Sequence, residues 1–246
     1  MPSIIDVNTI FGPLPEAAAD LSVDDLTALM HRHSVDACCT LSTIGLLLDH
    51  RMGNAATKAA CSENPRFIPV ATMNPQSFYG GEGPHLRFRA DGFKLARFFP
   101  GAQGWVPDYE PFIALVRALE AEGLPIMVDV SRPGEATRLV QSLGVDPAPL
   151  VLAGVDEQTL AEALVLMRAH PNLYVETSHL LALGAIKHVV EHVGAERVLF
   201  GSGAPARPMA GALAVVRHSG VPEEEQSHIL GANAARLLGV TLPSHG

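Results

Sequence analysis

The sequence predicts a single (β/α)8 barrel, the TIM-barrel form of the α/β class, on three observations. Its 246 residues sit close to the roughly 250 that eight strand–helix units need. Eight short, apolar, β-rich runs recur through the chain at spacings that leave room for a strand and a crossover helix. Most of these runs are apolar throughout instead of alternating, as parallel strands covered by helices require.

Taken in order, the strands are expected at residues 4–7, 37–41, 67–71, 92–95, 125–130, 150–152, 173–176 and 198–200. Ser22 followed by Asp25 reads as a capping box ahead of the apolar run from Leu26 to Met30. Residues 107–122 read as a helix, with Gly123 as its stop and Pro125 beyond. Segments 157–169 and 180–192 carry apolar residues at three- and four-residue intervals, the helical period. Segment 75–91 contains Gly80, Gly81, Gly83 and Pro84 and is too broken for a full helix, so this crossover is expected to be abbreviated. No linker or low-complexity tract interrupts the pattern, and one domain is expected over residues 1–246.

Composition narrows the function classes. Apolar residues make up 48% and charged residues 17%, enough for a sizeable core and unlike a disordered chain. A net charge of -9 argues against nucleic acid or an anionic membrane as partner. The odd cysteine count (Cys38, Cys39, Cys61) does not suggest a disulfide framework, and the N-terminal residues lack a basic-then-apolar leader. No apolar run approaches the roughly 18 residues of a membrane span. A cytoplasmic protein working on a small molecule is the resulting expectation.

Several stretches carry more than pattern. They are Ile4-Ile5-Asp6-Val7-Asn8-Thr9-Ile10, Arg66-Phe67-Ile68-Pro69-Val70-Ala71, Gly92-Phe93-Lys94-Leu95-Ala96, Gly123-Leu124-Pro125-Ile126-Met127-Val128-Asp129, Glu196-Arg197-Val198-Leu199-Phe200-Gly201-Ser202 and Ile229-Leu230-Gly231-Ala232-Asn233 onward. Together they resemble the amidohydrolase superfamily, in its amidohydrolase-related branch, over nearly the whole chain. The resemblance implies a barrel with its site at the strand C-termini, and a homodimer as the default assembly. It also implies hydrolysis of lactones, amides or esters, or decarboxylation of aromatic or enoic acids. A small, carboxylated and in some cases cyclic substrate follows from that range.

The same resemblance implies a metal site whose ligands this chain lacks. Asn8 and Ile10 stand where the family has a His-x-His pair, Ala96 and Asp129 where it has strand-end histidines, and Leu152-Ala153-Gly154 where it has another. Gly203 stands where the family places its catalytic aspartate. Zinc needs three or four converging nitrogen, sulfur or oxygen donors, so no metal cofactor is expected at the inherited positions. Two other readings remain open. One is a non-catalytic barrel that binds a ligand or serves as a scaffold. The other is a hydrolase whose metal, such as zinc, is held by a new set formed from Asp129, Glu176 and His179.

The remaining polar residues supply the candidates. Lys94 shares strand phase with Ala96 and is expected to face the interior, paired with Asp129 as acid and base, as a carboxylate anchor, or as a structural ion pair. Arg97 and Arg207 are expected in loops after strands four and eight, either as carboxylate clamps or simply solvated. His179 follows strand seven and reads as a general acid or base, or as a solvent-facing side chain. Asn8, Trp105, Glu176 and Ser202 complete the expected substrate-binding set, with Phe99 beside Trp105 as apolar wall. If Phe98, Phe99 and Trp105 fill the mouth, the scaffold reading gains. His31-Arg32-His33 and the pair His188/His192 are discounted, since the first are two apart on a helix and the second belong to the outer ring.

Overall fold

The computed structural model describes residues 3–14, 21–81, 87–144 and 148–241. Eight strands, β1 Ile5–Phe11, β2 Ala37–Ser42, β3 Phe67–Ala71, β4 Leu95–Phe98, β5 Ile126–Asp129, β6 Leu150–Ala153, β7 Leu173–Glu176 and β8 Val198–Leu199, form one sheet in sequence order. Every neighbouring pair is parallel. The residues after β8 close the sheet on β1. Val7 N donates to Phe200 O at 2.8 Å, Gly203 N to Asn8 O at 2.9 Å and Ile10 N to Ala204 O at 3.1 Å. The fold is therefore the (β/α)8 barrel, with helices between the strands.

Those helices are α1 Val23–His33, α2 Thr43–Leu47, α3 His50–Glu63, α4 Pro100–Gln103, α5 Glu110–Glu120, α6 Glu135–Leu143, α7 Leu160–Ala169, α8 Ala185–Val193, α9 Met209–Arg217, α10 Glu223–Ser227 and α11 Asn233–Leu238. A π-helical turn, His228–Ala232, leads into α11. The capping box of Ser22 and Asp25 is formed at the start of α1. Between β3 and β4 the described residues include a 3-10 turn, Pro75–Ser77, and turns from Arg87 onward; residues 82–86, in the middle of the segment expected to be abbreviated, lie outside the described set.

Alternation along each strand divides the core in two. Ile5, Val7, Cys39, Leu41, Ile68, Val70, Leu95, Met127, Val151 and Leu199 fill the barrel interior, joined by Ala234 and Leu238 of α11. Cys38, Phe67, Ala71, Ala96, Phe98, Ile126, Val128 and Val175 face the helices. Phe98 packs edge-on to Phe112 at 5.0 Å, and Trp105 lies 4.6 Å from the same ring. Among the described residues no helix is long and apolar enough to cross a membrane.

The fourth strand departs from expectation. It begins at Leu95, three residues later than the run of 92–95, and its phase is reversed: Leu95 and Arg97 point inward, Ala96 and Phe98 outward. Lys94 consequently precedes the strand, is exposed, and does not enter the interior. Arg97 is a buried strand residue and not a loop residue.

Candidate active site at the barrel mouth

The site starts with an irregularity in β1. Its register against β2 shifts between Asp6 and Thr9, so Val7 joins the interior core while its neighbour Asn8 lines the mouth. Asp6 stabilises this turn of the chain. Its Oδ1 accepts from Asn8 N at 3.0 Å and from Ser202 N at 2.9 Å, tying β1 to the segment after β8. Asp6 is fully buried, and its Oδ2 has no hydrogen bond among the described residues. Burial pushes its carboxyl up to about 7, despite the hydroxyl and amide of Ser202 beside it.

Arg97 spans the mouth from the opposite side. Nη1 donates to Asn8 Oδ1 at 2.6 Å, and Nη2 donates to Asp129 Oδ1 at 3.1 Å. Its guanidinium carbon lies 4.5 Å from the centre of the Phe99 ring, a cation–π contact in a desolvated setting. One arginine thus links the middle of β1 to the C-terminal ends of β4 and β5.

A second chain of hydrogen bonds runs along the end of β7. Glu176 Oε2 accepts from Ser178 N at 2.8 Å, and Oε1 accepts from Gly154 N at 3.2 Å and from Ser178 Oγ at 2.7 Å. Ser178 Oγ also lies 3.2 Å from Asn8 Nδ2 and 2.8 Å from His179 Nδ1. The hydroxyl has one proton and gives it to the carboxylate, so it accepts from both the amide and the imidazole. The network therefore assigns the proton of His179 to Nδ1 and leaves Nε2 with its lone pair. Gly201 makes this packing possible: a Cβ there would sit 2.1 Å from Glu176 Oε2 and 2.9 Å from Asn8 Cβ.

The cavity at the mouth holds about 550 Å³. Asn8, Arg97, Asp129, His179 and Arg207 give it polarity, while Ile10, Leu46, Phe99, Ala204 and Pro208 give it an apolar wall. Arg207 is half-buried, and among the described residues no carboxylate lies within ion-pair distance of it. His179 is held below the usual imidazole range, first by burial and then by the positive charge of Arg207.

Of the residues singled out from sequence, the cavity gathers Asn8, Arg97, Asp129, His179 and Arg207. Glu176 and Ser202 are buried just behind it: Glu176 orders the turn after β7, and Ser202 Oγ accepts from Ala204 N at 3.1 Å. Trp105 does not line the cavity, because its indole packs on Phe112 among the helices. Lys94 is exposed ahead of β4 and makes no ion pair with Asp129, whose partner is Arg97. Phe98 also faces outward, so of the three aromatic residues only Phe99 reaches the mouth. Asp6 and Ser178 were missed. Ser178 carries only the signal of adjoining His179, and nothing in the residues around Asp6 distinguishes its carboxylate.

A parallel eight-stranded barrel with polar groups gathered at its mouth is the common plan of (β/α)8 barrels. The amidohydrolase family model matches residues 47–240, and the chain belongs to that family. Comparison of the sequence with curated proteins gives no match. Among solved structures, the barrel is similar to 2,6-dihydroxybenzoate decarboxylase from Rhizobium, with 16% identity, a TM-score of 0.75, and coverage of 97% of this chain and 99% of that one. It is similar to a protein from Acinetobacter baumannii named a probable 2-pyrone-4,6-dicarboxylic acid hydrolase, solved with citric acid bound (16% identity, TM-score 0.74, 96% and 99% covered). A third is dihydroxybenzoic acid decarboxylase from Polaromonas sp. JS666, with bound manganese and the inhibitor 2-nitroresorcinol (15% identity, TM-score 0.71, 97% of each chain covered). At these identities the likeness is one of fold.

A divalent ion does not suit the donors this chain presents. Asn8 Oδ1 and Asp129 are already engaged by a guanidinium, and Ile10 offers no donor. Glu176 is buried and already accepts from two backbone amides and a hydroxyl. Among the described residues no group of three His, Cys, Asp or Glu side chains converges on one point.

Proposed function

We propose that this chain is an enzyme that takes a small carboxylate into the barrel mouth, anchors it on Arg207, and moves a proton through His179 Nε2. The chemistry is of the hydrolase or decarboxylase type. The observation that carries the reading is the juxtaposition, in one cavity, of an arginine without an ion-pair partner among the described residues and an imidazole whose second nitrogen is kept free by Ser178. A guanidinium recognises a carboxylate through two parallel, charge-assisted hydrogen bonds. The apolar wall of Ile10, Leu46 and Phe99 suits the body of a ring. An imidazole held neutral at physiological pH accepts a proton from an attacking water and returns it to a leaving oxygen, or serves as proton relay in loss of carbon dioxide. The names of the similar structures, with benzoate-type acids and a pyrone dicarboxylate among them, support a carboxylated ring as first choice.

The test is a panel of benzoates, hydroxybenzoates and 2-pyrone-4,6-dicarboxylate, read by calorimetry and by assays for new acid and for carbon dioxide. Arg207→Ala is expected to weaken binding roughly 10- to 100-fold, the worth of one charge-assisted pair. His179→Ala should keep binding and lose turnover. Binding that Arg207→Ala leaves unchanged removes the anchor. An absence of binding by any acid in the panel returns the scaffold reading to first place.

A further inference from the structure

We infer that two arginines of this chain, Arg97 and Arg207, replace the divalent cation of the barrel mouth, so that the positive charge of the site is built into the polypeptide. The first observation is the seat of Arg97. Its guanidinium lies between Asn8 of β1 and Asp129 at the end of β5, with its Nη1 and Nη2 hydrogen bonds directed to the side-chain oxygens that an ion there would need. Arg97 is buried, and Phe99 covers its face. The positive charge of the guanidinium repels a second cation from the same oxygens.

The second observation concerns Gly203, at the end of the segment that closes the barrel. It has φ +73, a conformation that an aspartate adopts only under strain, and a Cβ there would lie 3.3 Å from Arg207 Cδ and 3.4 Å from Ser178 Cβ. The stem of Arg207 lies against Gly203, so a side chain at position 203 would crowd it. With glycine at 203 the stem of Arg207 packs close to the backbone, and Arg97, seated between Asn8 and Asp129, compensates the carboxylate that lines the mouth.

The inference stands apart from the carboxylate reading and is tested without any organic ligand. Chelator-treated wild-type protein is titrated with Mn2+ by calorimetry to ~1 mM free ion, the level at which even weak oxygen-donor sites for divalent ions fill. Mn2+ is chosen because it prefers oxygen donors, whereas zinc also favours imidazoles such as those of His188 and His192, whose ring centroids lie 4.0 Å apart. The expected result is no uptake that depends on Asp129: either no saturable heat, or heat that is identical in Asp129→Ala. One equivalent bound by the wild type and lost in Asp129→Ala overturns it. If that variant does not fold, paramagnetic broadening in the wild type decides. Resonances of Asn8 and His179 should stay sharp at substoichiometric Mn2+, and their selective loss overturns the inference. Failure of the carboxylate panel with a clean Mn2+ titration sinks only the anchor role of Arg207.

Discussion

Ser178 Oγ lies 2.8 Å from His179 Nδ1, and this contact between sequence neighbours decides which nitrogen of the ring faces the cavity. The backbone turn after β7 is fixed by Glu176, which accepts from Ser178 N at 2.8 Å and holds the hydroxyl at 2.7 Å. Ser178 is therefore a positioning residue, acting through the imidazole. Ser178→Ala should lower kcat roughly 10- to 100-fold with KM little changed, since the anchor for substrate is elsewhere. The 15N shifts of the His179 ring should report a proton on Nδ1 in the wild type and a mixture of tautomers in the variant. A wild-type ring protonated on Nε2 would sink the relay.

The site was only partly legible in the sequence, and the reasons are local. Asn8, Asp129, His179 and Arg207 line the mouth because they lie on the strands or in the loops that follow them, which a barrel of this kind turns toward its mouth. Lys94 was misplaced because a short strand of four residues, Leu95–Phe98, gives period-two reasoning little to hold. A three-residue displacement of the strand reverses every side chain, which moved the buried cation from Lys94 to Arg97. Trp105 was placed by its loop, whereas its large apolar surface packs on Phe112 between helices. Asp6 could not be found at all. Its importance comes from a bulge in β1 and from contacts 196 residues away at Ser202.

Arg207 and His179 are coupled through charge, which gives a second prediction. Burial and the nearby guanidinium both disfavour the imidazolium, so the ring titrates below its ordinary value of 6.5. The folded protein thus holds fewer protons on this group than the unfolded chain does. His179 costs stability as pH falls below 6.5, and its neutral, proton-accepting form persists to lower pH than a free imidazole would allow. Arg207→Gln removes the cation and leaves the burial. The titration of His179, followed by NMR without substrate, should move upward toward 6.5, and the acidic limb of kcat/KM should move with it. A downward or absent shift would show that Arg207 does not face the ring.

Asp6 makes a prediction about stability that is separate from turnover. Its carboxyl is raised from 3.8 in the ordinary case to about 7 by burial. Between those values the folded state holds a proton that the unfolded chain has released, so the contribution of Asp6 to stability is greatest in acid and is lost as pH rises. The full span corresponds to on the order of 4 kcal/mol, at 1.36 kcal/mol for each tenfold change in proton affinity. Asp6→Asn keeps an oxygen to accept from Asn8 N and Ser202 N but cannot titrate. The stability of the wild type minus that of the variant, measured by urea unfolding, should therefore fall as pH is raised from 4 to 8. Other titrating groups cancel in this difference as long as the mutation leaves them in place. A difference that is flat with pH, or that rises, would mean that the buried carboxyl is ionised throughout. It would then have a partner for Oδ2 that the network of described residues does not supply.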